Sequence, residues 1–211
     1  YKGMSTALLF SVPKAGLRFG SYSYFQNKLS NNNNITPFVN LGAGIISGAL
    51  EGAIVVTPQE SIKTKLIELN SGLIKGTQTI IKEKGIKGLY RGALPTIIKQ
   101  SSNQGIRFMT FGLYKNYMTN NNEKKLSPLN ALFGGMFAGG ISVLLNNPID
   151  VVKTRMQGLE ANKYKSTKDC ITQIISKEGF KSFYRGAGAR LLRVIPGQGI
   201  VFTSYEMILN L

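Results

Sequence analysis

At 211 residues the chain has room for one or two domains, and its net charge of +16 comes from 26 Lys and Arg against 10 Asp and Glu. With no His and one Cys it offers no zinc ligand set, no Ser/His/Asp or Cys/His nucleophile system and no disulfide framework. No metal or cofactor is therefore expected. A basic chain of mean hydropathy −0.01 would ordinarily be read as a soluble nucleic-acid binder. The placement of the charges along the chain argues otherwise.

From Leu126 to Ile149 no residue is charged, a stretch long enough at 1.5 Å per residue to cross a hydrocarbon core of roughly 30 Å. From Leu29 to Gln59 the only charge is Glu51. Three further apolar stretches, 4–29, 93–118 and 188–210, carry Lys and Arg within them. The other basic residues lie between the apolar runs, where they can face anionic lipid headgroups.

In chain order, Tyr1, Lys2 and Gly3 form an aromatic, base, Gly turn before a helix to about residue 30, which Pro13 should kink. Asn31 to Asn34 read as a linker. A second helix over 38–57 carries Gly44, Gly48 and Gly52 four apart, so that small residues share one face and a neighbour can approach closely. It ends at Pro58, Gln59, Glu60, Ser61, Ile62, Lys63, Thr64, Lys65: Pro, any residue, acid, two residues, base, one residue, base. A short amphipathic segment follows at 73–83, then a turn from Gly85 to Gly92 and a helix over 93–118. The pattern then recurs. Gly135 and Gly139 precede Pro148, Ile149, Asp150, Val151, Val152, Lys153, Thr154, Arg155, after which come an amphipathic segment at 167–177, the turn Gly179 to Gly186 and a last helix.

Pro58 and Pro148 each remove a backbone donor and are expected to bend their helices. The acid and base of each copy stand three residues apart, on one helix face. Acid and base can thus pair between copies, Glu60 with Lys153 being the expected pair.

These features define a tandem repeat. Tyr90, Arg91, Gly92 match Tyr184, Arg185, Gly186 at an offset of 94 (184 minus 90), which also aligns Phe108 with Phe202 and Lys99 with Arg193. Tyr1, Lys2, Gly3 match Tyr90, Arg91, Gly92 at 89 (90 minus 1), with Arg18 and Phe19 falling on Arg107 and Phe108. Residues 1–30 are expected to be the second half of a first repeat, 31–119 the second repeat and 120–211 the third. The chain begins without Met and in mid-repeat, and is expected to be a fragment lacking the first repeat's own Pro, acid, base stretch.

The doubled signature, the downstream Tyr, Arg, Gly and the repeat length together resemble the mitochondrial carrier family over the whole chain. The resemblance implies an all-α membrane fold, a three-repeat helical bundle around a central cavity, here with five of six transmembrane helices, in the mitochondrial inner membrane. It implies a matrix gate drawn from Glu60, Lys63, Asp150 and Lys153, braced by Gln157, whose counterpart in the second repeat is Ile67. It also implies a cytoplasmic gate of aromatic, acid, two residues, base. That pattern is poorly kept: Tyr22 is followed by Ser23 and Phe111 by Gly112, while Tyr205 is followed by Glu206.

Superposed by repeat, the even helices place Phe10, Lys99 and Arg193 at one level, Lys14, Asn103 and Gly197 a turn later, and Arg18, Arg107 and Val201 a turn after that. Ionisable residues within a span ordinarily face a cavity. A metabolite lacks threefold symmetry, so residues that break the repeat are the better recognition candidates: Lys14, Lys99, Gln100, Asn103, Arg190 and Arg193, with the Arg18 and Arg107 pair. Nearly all are cations or amide donors, with no acid on the even helices facing them, which points to a small polyanion with several carboxylates.

The run Lys99, Gln100, Ser101, Ser102, Asn103, Gln104, Gly105, Ile106, Arg107, Phe108, with Lys153 to Glu160 and Pro13 to Phe19, looks like the tricarboxylate (citrate) branch of that family. Carried over by position, Lys14, Arg18, Lys99, Gln100, Arg107, Lys153, Arg190 and Arg193 match its substrate-binding positions. The resemblance implies exchange of citrate or isocitrate for malate or another carboxylate, with another dicarboxylate or oxo acid as the alternative cargo. It also implies no enzymatic step, no nucleic acid, contact with an anionic lipid such as cardiolipin, and a monomer.

Overall fold

The computed structural model describes residues 4–30, 35–62, 90, 93–119, 126–157 and 167–209. Among them there is no strand. The helices are α1 (Met4–Leu29), α2 (Pro37–Glu51, extended by a π-helical turn Gly52–Val56), α3 (Ala93–Met118), α4 (Pro128–Gln157), α5 (Thr167–Glu178) and α6 (Ala187–Leu209), with a 3-10 turn Phe180–Tyr184 before α6. Five are long and one short, as the apolar and amphipathic stretches imply. The segment at 73–83 lies outside the described residues.

Local chemistry sets the helix starts. Thr36 caps α2 by accepting from the Val39 N–H at 3.3 Å, and Pro37 opens the first turn, where a missing donor is harmless. Ser127 accepts from the Asn130 N–H at 3.3 Å in the same way, ahead of Pro128. Before α6 the chain turns through Gly179 (φ 78°) and Gly186 (φ 83°), left-handed positions that a side chain disfavours. The Gly of the Tyr184, Arg185, Gly186 motif is thus a backbone requirement.

The chain forms two compact units, Tyr1–Met109 and Thr110–Leu211, with the boundary inside α3. In the first, α1 packs on α2, and α2 meets α3 along its glycines: a Cβ on Gly44 would lie 2.8 Å from the Gln104 carbonyl oxygen, and one on Gly48 2.5 Å from that of Gln100. Tyr22 stacks on Phe108 at 3.6 Å between centroids. In the second, α4 packs on α6, and a Cβ on Gly135 would lie 2.7 Å from the Gln198 carbonyl oxygen. Phe111 stacks on Phe202 at 4.3 Å.

These equivalent contacts expose a one-residue difference between repeats. Gly44 corresponds to Gly135, an offset of 91 (135 minus 44), whereas Pro58 corresponds to Pro148, an offset of 90 (148 minus 58). The second repeat therefore holds one more residue between its glycine face and its Pro. The π-helical turn Gly52–Val56 takes up that residue, with the Thr57 hydroxyl donating to the Gly52 carbonyl at 2.7 Å. Helix continues past Pro58 to Ile62, and α4 runs through Pro148 to Gln157, so neither Pro ends its helix.

Polarity is arranged inside out. Glu51 is 0% exposed while Val12 is 77% and Leu192 80% exposed. Asn40, Asn103, Gln104, Asn146 and Asn147 are buried, while Phe38, Phe137 and Ile200 face outward. Water does not select this pattern; a hydrocarbon surround does. Among the described residues, Pro37–Ile62 and Pro128–Val152 are long and apolar enough to cross a membrane.

Helix α5 docks on the end of α4 through Val152, Cys170, Ile174 and Phe183. Cys170 is fully buried there, and burial pushes its thiol up from the ordinary value. Arg155 clips the far end of α5: it donates to both oxygens of Glu178 and, at 3.2 Å, to Ser182, whose hydroxyl donates to Glu178 at 2.6 Å.

Gly48→Ala is expected to lower stability by about 1–3 kcal/mol, because its methyl meets backbone that cannot swing aside. Gly16→Ala, with nothing within 4 Å of the added carbon, should be neutral or slightly stabilising; thermal unfolding in detergent compares the two. The Arg155 and Ser182 hydrogen bonds hold Glu178 at about 2, below its ordinary 4.5. A depressed carboxyl contributes stability that is complete above pH 4.5 and lost as pH falls toward 2. Protection of the α5 amides, taken relative to their intrinsic exchange rate at each pH, should fall over that window, and in Glu178→Gln that part of the pH dependence should vanish.

Candidate functional site

One carboxylate organises the first unit. Glu51 closes the α-helical part of α2, just before the π turn, and faces α1 and α3. Arg18 of α1 donates from Nε to Oε2 at 2.8 Å and from Nη2 to Oε1 at 2.7 Å, a bidentate fork. From α3, Gln100 donates to Oε1 at 3.1 Å and Gln104 to Oε2 at 2.9 Å. Lys14 Nζ stands 3.6 Å from Oε1. Each carboxylate oxygen thus accepts two hydrogen bonds in a group closed to solvent, so the charge is buried with its partners satisfied.

Five side chains from three helices therefore meet, and three of them, Lys14, Arg18 and Gln100, are among the residues singled out in the sequence. Glu51 and Gln104 are additions. The charge pattern contained the signal for Glu51, as the sole charged residue from Leu29 to Gln59, but gave no direction for its side chain. Arg18, expected to face a ligand, has its fork on Glu51 and is 9% exposed. Asn103 is buried and donates to the Lys99 carbonyl at 2.9 Å, while its own carbonyl oxygen accepts no hydrogen bond among the described residues. Lys99 and Arg107 are half-buried on the same helix.

In the second unit Asp150 of α4, expected at the gate, accepts a hydrogen bond from Arg190 of α6, expected at the ligand. The two roles read separately from the sequence fall on one ion pair. Arg193 is exposed three residues further along α6. Of the other residues expected at the matrix gate, Glu60 is exposed and accepts from the Thr96 hydroxyl at 3.0 Å. Lys63 and Ile67, and the side chains of Lys153 and Gln157, lie outside the described residues, as does any Glu60–Lys153 pair.

At the positions of the cytoplasmic pattern, Lys115 donates to both oxygens of Glu206, at 2.8 and 2.9 Å, with Glu206 3% exposed. The base at the fourth residue after Phe111 is therefore engaged even though the acid after Phe111 is missing. The corresponding Gln26, four after Tyr22, donates to Asn40 at 2.7 Å and to the Tyr22 hydroxyl at 2.9 Å, and Tyr22 donates to Asn40 at 2.9 Å. A neutral amide cluster stands there in place of an ion pair.

The family model described as mitochondrial carrier protein matches residues 33–122 and again 124–211. The chain belongs to the mitochondrial carrier family. The human tricarboxylate transport protein, mitochondrial, is 40% identical over 222 residues, covering 100% of this carrier and 71% of the human protein. A putative tricarboxylate transport protein, mitochondrial, of Caenorhabditis elegans is 42% identical over 220 residues, covering 100% and 70%. The tricarboxylate transport protein of Saccharomyces cerevisiae is 34% identical over 226 residues, covering 99% and 76%.

Lys115→Ala in the carrier is expected to destabilise it by about 3–5 kcal/mol, because it leaves a buried carboxylate without its cation. Lys115→Ala with Glu206→Ala should recover most of that loss, and thermal unfolding of the single and double variants measures the difference.

Proposed function

We propose that this protein is a multi-pass carrier of the mitochondrial inner membrane that exchanges citrate or isocitrate for malate or another carboxylate by alternating access. The observation that carries the reading is an excess of cations inside apolar helices. Within α1, α2 and α3 as far as Met109, Lys14, Arg18, Lys99 and Arg107 lie in mid-helix against the single acid Glu51. Charge at that depth is costly unless a counter-charge accompanies it, and a mobile polyanion supplies one. Arg forks and Lys ammonium groups suit carboxylates, and Gln and Asn amides suit carboxylate and hydroxyl oxygens. Relatives that match along the chain and are called tricarboxylate transport proteins support the same cargo.

Transport of this kind makes and breaks no covalent bond. Cargo binds one open face, the acid and base pairs at that face close, and those at the other open. Asp150 with Arg190 suits the matrix side and Lys115 with Glu206 the cytoplasmic side, with Glu60, Lys63, Lys153 and Gln157 completing the former. Residues 1–30, 31–119 and 120–211 serve as successive repeats. The carrier works as a monomer and its basic connecting segments contact anionic lipid.

The test is uptake of labelled citrate into liposomes preloaded with malate. Uptake is expected to need internal malate and to fall at least about tenfold in Arg193→Ala, the loss of one charge-assisted contact. Exchange of a smaller dicarboxylate with no citrate uptake would overturn the cargo.

A further inference from the structure

We infer that Glu51 is a specificity-determining residue of the carrier: a tethered carboxylate that occupies the Arg18 fork and that a carboxylate of the cargo must displace. The inference rests on the tricarboxylate reading.

The first ground is geometric. The fork is the bidentate arrangement by which a guanidinium takes a free carboxylate, with both distances below 2.9 Å. Gln100 and Gln104 complete the shell from a third helix. Glu51 thus has the set of partners that a substrate carboxylate would need.

The second ground is where the sequence puts the acid. By the packing-based offset of 91, the counterpart of Glu51 in the next repeat is Ser142 (51 plus 91), which donates to the Gly139 carbonyl of its own helix at 2.9 Å. The counterpart of Gln104 is Gln198 (104 plus 94), and that of Gln100 is Val194 (100 plus 94). The same glycine-lined approach of two helices therefore exists twice, with a carboxylate at its centre once. The helix frame does not require the acid. The π turn begins at the next residue, so the repeat carrying the acid also carries the extra residue that resets α2 beyond it.

The third ground is charge. Lys14 and Arg18 against Glu51 leave this cluster at a net +1, counting two cations and one acid. Without Glu51 it would hold a buried guanidinium and a half-exposed ammonium with no acid between them, and grip a polyanion hard. With it, a carboxylate entering the fork exchanges with one already there, and the released Glu51 can turn to Lys14, 3.6 Å away. Cargo binding is thereby tied to the hydrogen bonds that join α1, α2 and α3.

The experiment compares the reconstituted protein with Glu51→Gln and Glu51→Asp. Initial rates of citrate and malate uptake give KM and kcat for each, and thermal shift with added citrate reads binding without transport. Glu51→Gln is expected to lower the citrate KM by roughly tenfold, lower malate KM less, reduce kcat, and enlarge the citrate thermal shift. Glu51→Asp keeps the charge, and so the fold, but its shorter arm cannot hold the fork; it should shift citrate KM the same way by a smaller factor. Where Glu51→Gln yields no folded protein, Glu51→Asp carries the comparison. A citrate KM unchanged or raised in the folded variants, with an unaltered citrate-to-malate ratio, would overturn the inference and leave Glu51 a packing residue. Absence of carboxylate exchange by the unmodified protein would instead overturn the cargo reading.

Discussion

A charge placed inside an apolar helix bundle has to be answered within the protein, and the Glu51 carboxylate shows how strictly. Its two oxygens take four hydrogen bonds, from Arg18, Gln100 and Gln104. Losing one partner would leave a donor or acceptor stranded where no water can replace it. The requirement propagates outward. Gln100 and Gln104 reach the carboxylate because α3 lies against α2, and it lies that close because Gly44 and Gly48 have no side chain to hold it off. The glycine stripe thus sets the helix separation that the polar cluster needs.

The second unit keeps the frame and changes the chemistry. Gly135 and Gly139 bring α6 onto α4 as Gly44 and Gly48 bring α3 onto α2, yet Ser142 stands where Glu51 does and bonds to its own helix. Its ion pairs among the described residues lie elsewhere, between Asp150 and Arg190, Lys115 and Glu206, and Arg155 and Glu178. Repeated sequence therefore encodes repeated backbone contact, and the departures from repetition encode the polar groups. A cargo without threefold symmetry can be recognised only through those departures.

Much of this was legible in the sequence. Apolar and amphipathic stretches, glycine spacing and the doubled Pro, acid, base pattern place α1, α2, α3, α4, α5 and α6; the even-helix stripes pick out Lys14 with Arg18 and Lys99 with Asn103 and Arg107, and the departures from repeat symmetry add Gln100. Glu51 was visible as an isolated charge, and seven residues after Gly44 it falls on the glycine face, but the pattern does not say which side chains of α1 and α3 meet it there; the π turn shifts the helix register only beyond it. Aligning the repeats on their prolines places Ile141 opposite Glu51 (51 plus 90) and hides the true counterpart by one residue. The Lys115–Glu206 pair was obscured for a different reason. The acid next to Phe111 is absent, and the pair is made instead by a base from one copy and an acid from another. The engagement of Asp150 with Arg190 joins residues 40 apart and rests on packing of α4 with α6 that no local pattern contains.

Burial also constrains how the Arg18 fork can be used. Arg18 is nearly closed to solvent and Glu51 is fully closed, so a path in which the fork first breaks and then waits for a ligand would leave both ions without their main partner in a site closed to water. A path in which an incoming carboxylate approaches through half-exposed Lys14 and takes over Arg18 as Glu51 leaves keeps every charge partnered throughout. The geometry favours the second, since Lys14 already borders the carboxylate. Exchange of partners, rather than their separation, is the course along which a buried ion pair can yield to a ligand in a medium of low dielectric constant.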